Sequence, residues 1–330
     1  MNSSVRGWLL PALKGVFGLL AAFWLGWAFF GASEQDGTLA GGWRQMESWL
    51  FVIGWSFFPL GLAVLWRWTL VFFADVRLAA STTLTAQGLA WAGRYMPGKA
   101  GLLLGKLTIV KELSATWREL SFSVLAEQML YVLAGFAVVA LMLPLDAHML
   151  QAAAISGLVD KALVLAAEWL WRGIAFGGVL FAAWLALKVA ARMLSISPLR
   201  GLLPQWLLVF GGHFLLQLMV GAALYPLVVQ MLPSAADVLG IAGVAAVFAL
   251  ANCAGILAII APAGLGVREA VLAVCLSHEV GFDAALQVAV WVRVLTLVAD
   301  AAFAGLAVGA GWALSKKDVS GNHQGSSGLE

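Results

Sequence analysis

The chain has 330 residues, of which 62% are hydrophobic and only 11% are charged, with a formal net charge of +2. A soluble domain carries about 45–50% apolar and about 25% charged residues, so this composition and a mean hydropathy of +0.95 exclude a water-soluble globule. They also exclude a disordered chain, a collagen and a coiled coil, and they predict a polytopic membrane protein.

The spacing of the apolar runs predicts an all-α membrane helix bundle. A helix needs about 20 apolar residues to cross the hydrocarbon core. Six runs read as simple spans: 9–30, 47–72, 119–143, 163–190, 205–231 and 284–314. Two further runs, 80–106 and 237–279, are interrupted by proline and glycine. No polar gap is long enough for a soluble module, so we expect a single transmembrane domain at 1–319, with 320–330 as a flexible tail left over from cloning.

The distribution of Lys and Arg predicts how the interrupted runs thread through the membrane. Cytoplasmic loops are enriched in these residues. Lys106, Lys111 and Arg118 follow the first interrupted run, and they lie in the cytoplasm only if that run returns to the side it entered. The same behaviour in the second run leaves Lys316 and Lys317 cytoplasmic. The prediction is therefore six full spans plus two oppositely oriented re-entrant broken-helix hairpins, an inverted repeat. The alternative is eight ordinary spans.

The first interruption contains Arg94, Pro97, Gly98 and Lys99. Pro97 lacks an amide donor and disfavours helix at the residue before it, and Gly98 permits a turn. A helix that restarts near Lys99 would present free N–H groups and a partial positive charge, to which Arg94 and Lys99 add full charges. This pattern predicts an anion site within the membrane. The alternative is a cytoplasmic loop whose two cations bind lipid headgroups.

The second interruption follows the same pattern. Pro262, Gly264 and Gly266 precede a short helix that has Arg268 and Glu269 in its first turn. The proline breaks the preceding helix, the glycines permit the turn, and the new N-terminus with Arg268 can bind an anion. Glu269 suits a helix N-terminus and can neutralise a neighbouring cation. The alternative is a structural kink between two packed helices.

Charged residues within the predicted spans should face the bundle interior. A charge at the bilayer centre costs about 2.5–3.5 kcal/mol on insertion scales. Glu127 lies in the middle of a span, and we expect it to face a cavity and to pair with Lys99 or Arg268. Arg293 and Asp300 share one face of the last span, which predicts either a coupling site or a mutual ion pair that locks helices together.

Two motifs resemble those of enzymes, but neither meets the requirements of the enzyme class. Residues 101–106 resemble a P-loop, but the glycines are one residue too close together and Leu107 stands where Ser or Thr is required. The HxxxxD pattern at 278–283 is that of glycerolipid acyltransferases, which need a cytosolic catalytic domain. We therefore expect neither ATP hydrolysis nor another enzymatic activity, and no cofactor or metal.

The sequences at the two interruptions also resemble a known family. GRYMPGKAGLLLGKLTIVKE at 93–112 and APAGLGVREAVLAV at 261–274 resemble the two signature regions of the lysylphosphatidylglycerol synthase transmembrane family, also called flippase-like domain proteins. The resemblance extends over residues 10–315 and implies lipid movement between leaflets. The residues that match the family pattern are Arg94, Pro97, Gly98, Lys99, Pro262, Gly264, Gly266, Arg268 and Glu269. The aminoacyl transferase domain of full-length synthases has no counterpart here, so we expect a separate lipid-modifying enzyme as a partner.

These observations predict a lipid translocase of a bacterial inner (plasma) membrane, with both termini cytoplasmic and no nucleic-acid partner. Its substrate would be a phospholipid or a polyprenyl-linked lipid such as an isoprenoid-linked saccharide. One alternative is a secondary transporter or channel for a small soluble anion that uses the same site. A second is a membrane-embedded lipid transferase. Transport would be downhill or coupled to protons through groups such as Glu127 or Asp300.

Overall fold

The computed structural model describes residues 45–74, 76–95, 100–107, 116–143, 161–193, 203–258 and 261–325. These residues form α-helices and one short 3-10 turn, with no strand among them. The helices are α1 (Met46–Ala74), α2 (Ala80–Gly93), α3 (Ala100–Leu107), α4 (Trp117–Met142), α5 (Lys161–Met193), α6 (Leu203–Met231), α7 (Pro233–Leu257), α8 (Val267–Val280) and α9 (Phe282–Gly325). The predicted span 9–30 lies outside the described residues.

Five of the described helices are long and apolar enough to cross a membrane. They are Met46–Phe72, Trp117–Met142, Pro204–Met231, Pro233–Leu257 and Phe282–Gly311. By length and composition, these helices identify a multi-pass helical membrane protein. In α5, where a span was predicted at 163–190, the described residues include the shorter apolar stretch Arg172–Ala186. Conversely, α7 was predicted as one arm of a hairpin but has the length of a span. Its helical geometry is broken at Gly240, which has φ +60°.

Helices α2 and α3 form an antiparallel pair. The backbone of Gly93 lies against Gly101, and Gly105 lies against Ala90. A Cβ atom at Gly101 would overlap the Gly93 backbone, so only glycine allows this approach. With 14 and 8 residues, these two helices are shorter than a membrane-crossing helix. The pair packs against α9 and α4.

A tight turn joins α7 to α8. Pro262–Gly264 forms one 3-10 turn, in which Gly264 has φ +71° and touches Gly255 of α7. Ala263 has φ +51°, which is the left-handed region and costs a non-glycine residue roughly 1–2 kcal/mol. Such strain persists only where surrounding contacts hold the backbone. After the turn, α8 packs on α7 and α9.

The core is built around α1, which packs against α2, α4, α6 and α9. Its aromatic side chains are continuous with those of two other helices. The Trp55 ring centroid lies 5.2 Å from that of Phe58 and 5.8 Å from that of Phe248 in α7. Phe58 in turn lies 5.8 Å from Trp91 of α2. Trp55, Phe58 and Trp91 of this aromatic cluster also line a cavity between the helices.

The start of α4 shows how local sequence sets a helix boundary. Helix α4 begins with a capping box, in which Thr116 Oγ1 accepts from the Glu119 amide at 3.3 Å and Glu119 Oε2 accepts from the Thr116 amide at 2.8 Å. Helix α9 continues to Gly325. The first residues of the predicted tail at 320–330 are therefore helical.

Candidate anion-binding site

Residues beside the two helix breaks line one cavity of about 70 Å³. Arg94, at the end of α2, lines it from the first break. Ala263 and Arg268 line it from the second break, and Gly255 lines it from α7. The other lining residues are largely aromatic or apolar: Trp55, Phe58, Leu62, Trp91, Leu102, Gln128, Tyr131, Asn252 and Ile256.

Asp300 of α9 anchors the first break. Its Oδ1 accepts hydrogen bonds from Nε1 of Trp55 and Nε1 of Trp91, each at 2.7 Å. Its Oδ2 accepts from the Tyr95 hydroxyl and lies 3.6 Å from Arg94 Nη1. These four partners satisfy a carboxylate that is only 2% exposed. Asp300 therefore neutralises Arg94 and fixes two aromatic walls of the cavity.

Arg268 has a different environment. Its guanidinium carbon lies 4.7 Å from the Trp55 ring centroid and 4.8 Å from that of Phe248. These cation–π contacts offset part of the cost of burying the charge, since the residue is only 4% exposed. Arg268 makes no salt bridge with any carboxylate in the described part of the chain, and its Nη2 has no hydrogen-bond partner there. Arg268 is thus a buried cation that lines the cavity and has no carboxylate partner among the described residues.

Glu269 caps the start of α8. Its Oε2 accepts from the Gly266 amide at 2.7 Å, and its Oε1 lies 3.4 Å from Arg293 Nε. Arg293 also directs Nη1 toward the Ala263 carbonyl at 3.5 Å. The sequence predicted that the N–H groups at this helix start would be open to a ligand, but the protein's own carboxylate occupies one of them. The binding of a ligand in the cavity therefore depends more on the Arg268 side chain, and less on the helix N–H groups, than the sequence predicted.

Arg293 and Asp300 have different partners in place of a mutual ion pair. They lie two helical turns apart on α9, and each contacts a different helix break. Asp300 pairs with Arg94 of the first break, and Arg293 pairs with Glu269 of the second. Helix α9 is therefore one element that forms an ion pair beside each of the two breaks.

Asn252 is a second buried donor residue beside the cavity. This residue of α7 is 6% exposed, and its Nδ2 has no partner among the described residues. A side-chain amide nitrogen and a guanidinium nitrogen can only donate hydrogen bonds. Since Asn252 and Arg268 both line the cavity, its unpaired polar atoms suit an acceptor such as an oxyanion.

Glu127 does not line this cavity. It forms a buried ion pair with Lys106 of α3, whose Nζ also lies 4.4 Å from the Trp66 ring centroid. The partner of Glu127 is therefore Lys106 and not Arg268. The Lys106 side chain is only 1% exposed, so its charge is buried in the bundle against Glu127.

The remaining predicted residues fall into two groups. Pro97, Gly98 and Lys99 lie outside the described residues, in the segment 96–99. Pro262 opens the turn before α8, and Gly264 and Gly266 adopt φ +71° and +81°. These positive φ values are accessible to glycine without strain. The second break therefore has the turn that its sequence predicted.

Sequence reasoning missed most of the partners of the predicted cations. Trp91 and Tyr95 lie one helical turn apart on either side of Arg94, and this i, i+4 spacing could have signalled a shared acceptor. Trp55 carried no such signal, because it is one of sixteen tryptophans in an apolar chain. Its contact with Asp300 joins positions 245 residues apart.

Comparison of the chain with protein-family models, with curated proteins and with solved structures finds no match. By the length and composition of its helices the chain is a multi-pass helical membrane protein, and its described residues form a largely apolar cavity that Arg94, Arg268 and Asn252 also line.

Proposed function

We propose that this protein is a lipid translocase that moves a phosphate-containing lipid between the leaflets of a bacterial inner membrane. The observation that carries the proposal is Arg268, which is buried among helices of membrane-crossing length and lines the interior cavity without a carboxylate partner in the described residues. Arginine is the side chain best suited to phosphate, because its planar fork presents paired donors.

Two re-entrant hairpins form part of this proposal. Helices α2, α3 and α8 have 14, 8 and 14 residues, so none reaches the length of about 20 that a crossing needs. Transporters often place ion sites at the broken ends of such helices near the bilayer midplane. The distribution of Lys and Arg supports cytoplasmic termini, and the resemblance to flippase-like domain proteins agrees with lipid movement. A separate lipid-modifying enzyme is the partner we propose.

An apolar crevice beside the cavity supports a lipid substrate. Its volume is about 340 Å³, and α1, α2 and α9 contribute Phe57, Leu84 and Phe303 to its lining. The Phe303 ring lies 6.4 Å from Trp91, which itself lines the anion cavity. An acyl or isoprenoid chain can occupy such a crevice while its phosphate lies beyond the tryptophan wall.

A second candidate function is transport of a small soluble anion. The observation in its favour is the cavity volume of about 70 Å³, which is small beside typical ligand pockets of about 300–1,000 Å³. A free phosphate carries no hydrocarbon chain, so a small cavity is sufficient to hold it. The two functions differ in whether the ligand must carry a hydrocarbon chain.

Reconstitution into vesicles tests the proposal. Acyl-labelled fluorescent phosphatidylglycerol in both leaflets should become fully bleachable by external dithionite when the protein is present, with or without an imposed pH gradient. Arg268→Gln should abolish the protein-dependent bleaching, whereas Arg118→Gln, at an exposed position of α4, should leave it unchanged. Uptake of radiolabelled phosphate without lipid movement would favour the soluble-anion function. Absence of both activities would contradict transport.

A further inference from the structure

We infer that the cavity accepts a ligand group with a single negative charge, a phosphodiester, in preference to a doubly charged phosphomonoester or diphosphate. The inference rests on the proposed function and narrows its substrate. The charges beside the two helix breaks are its basis, because the described part of the protein neutralises all but one of them.

Among the described residues, the helix breaks and α9 bring together three guanidinium groups and two carboxylates. Arg94 lies 3.6 Å from Asp300, and Arg293 lies 3.4 Å from Glu269. Arg268 has no carboxylate within ion-pair distance among the described residues. The described site therefore carries one positive charge in excess.

An excess charge matters here because the site is buried. Arg268, Glu269, Arg293 and Asp300 are each no more than 4% exposed. An uncompensated charge in such surroundings is unfavourable by several kcal/mol, whichever its sign. A monoanion neutralises the excess, whereas a dianion replaces one unpaired positive charge with one unpaired negative charge.

The side chains that line the cavity agree with a phosphodiester. Such a group has two non-bridging oxygens that share one charge, and the cavity is lined by Arg268 and Asn252, whose buried Nη2 and Nδ2 atoms have no hydrogen-bond partner among the described residues. The guanidinium and the amide can each donate to one of these oxygens. Because the volume is about 70 Å³, the two ester substituents must lie outside the cavity. Phospholipids, isoprenoid monophosphate sugars and soluble diesters share this chemistry.

Binding to the purified full-length chain in detergent separates these ligands. The probes are dihexanoyl phosphatidylglycerol, dihexanoyl phosphatidic acid and the chain-free diester glycerophosphoglycerol, titrated by calorimetry at about pH 8, where the phosphomonoester carries two charges. We expect phosphatidylglycerol to bind at least about tenfold more tightly than phosphatidic acid. Arg268→Gln should remove this binding, and Arg118→Gln should preserve it.

Glu269→Gln is the variant that inverts the preference. A glutamine oxygen still accepts from the Gly266 amide, so the helix cap is kept, but Arg293 loses its counter-charge. The ratio of the two affinities should therefore move at least about tenfold toward phosphatidic acid. A wild-type preference for phosphatidic acid, or a ratio that Glu269→Gln leaves unchanged, would overturn the inference even if lipids bind through Arg268.

The chain-free probe separates this inference from the proposed function. If glycerophosphoglycerol binds as tightly as phosphatidylglycerol and shows the same dependence on Arg268 and Glu269, the lipid substrate is wrong while the single-charge preference stands. If no probe binds in a manner that depends on Arg268, both the proposed function and the inference are wrong.

Discussion

The pair α2 and α3 and the pair α7 and α8 reach the same cavity with similar parts. Each has a glycine–glycine backbone contact next to its break, Gly93 with Gly101 and Gly255 with Gly264. Each also brings an arginine to the cavity. The arginines differ in their surroundings, because Arg94 pairs with a carboxylate of α9 whereas Arg268 stacks on aromatic rings and has no carboxylate in the described chain.

This difference separates anchoring from binding. A buried ion pair whose partners are also hydrogen-bonded holds two elements in register, and breaking it costs much stability. A buried cation with an unused donor stabilises the fold less and retains its capacity to bind a ligand. The first break is therefore the anchored side of the cavity and the second break is the binding side.

The orientation of the helix pairs α2/α3 and α7/α8 relative to the membrane can be tested by labelling, which gives an all-or-none result. In a variant whose two native cysteines are replaced by alanine, Ala79→Cys and Trp117→Cys flank the first pair, and Ser234→Cys and Phe282→Cys flank the second. All four positions are exposed. We expect an impermeant maleimide to label the first two only from the cytoplasm and the last two only from outside. Labelling of the two flanks of one pair from opposite sides would refute the re-entrant arrangement.

The largest change in stability should follow Asp300→Ala. The substitution leaves Arg94 as an uncompensated buried charge and removes the acceptor for Trp55, Trp91 and Tyr95. Loss of one partner of a buried pair costs about 3–5 kcal/mol. Thermal unfolding in detergent should show a large fall in Tm, whereas Asp283→Ala, at an exposed position of the same helix, should show almost none. Equal Tm values would mean that Asp300 is not the anchor.

The glycine contacts should give smaller losses in both pairs. Gly101→Ala forces the backbones of α2 and α3 apart, and Gly264→Ala adds strain at φ +71° to an overlap with Gly255. Overpacking of this kind costs about 1–3 kcal/mol. Gly305→Ala is the matched control, because nothing lies within 4 Å of an added Cβ there. It should leave the Tm unchanged or raise it, since alanine favours helix.

The two breaks also show how far the sequence predicts such a site. Proline and glycine act locally on the chain, so the turn before α8, with Gly264 and Gly266 at positive φ, was predictable from residues 262–266. The ion-pair partners of the buried charges were not predictable from the sequence. Whether Lys106 meets Glu127, and Asp300 meets Arg94, depends on which helices become neighbours. Hydropathy does not report this, because α1, α4 and α9 are apolar over most of their length.

The smallest change in stability should follow substitution of Arg268, together with the largest loss of function. Arg268→Gln removes two cation–π contacts, each worth about 0.5–2 kcal/mol, but it also removes a buried charge that lacks a counter-ion. These effects oppose each other, so the Tm should stay close to that of the wild type while lipid movement is lost. Arg268→Lys keeps the charge and loses the planar fork, so it should retain only part of the activity. A fall in Tm as large as that of Asp300→Ala would make Arg268 a second anchor. Normal lipid movement in well-folded Arg268→Gln protein would show that Arg268 is not part of the binding site.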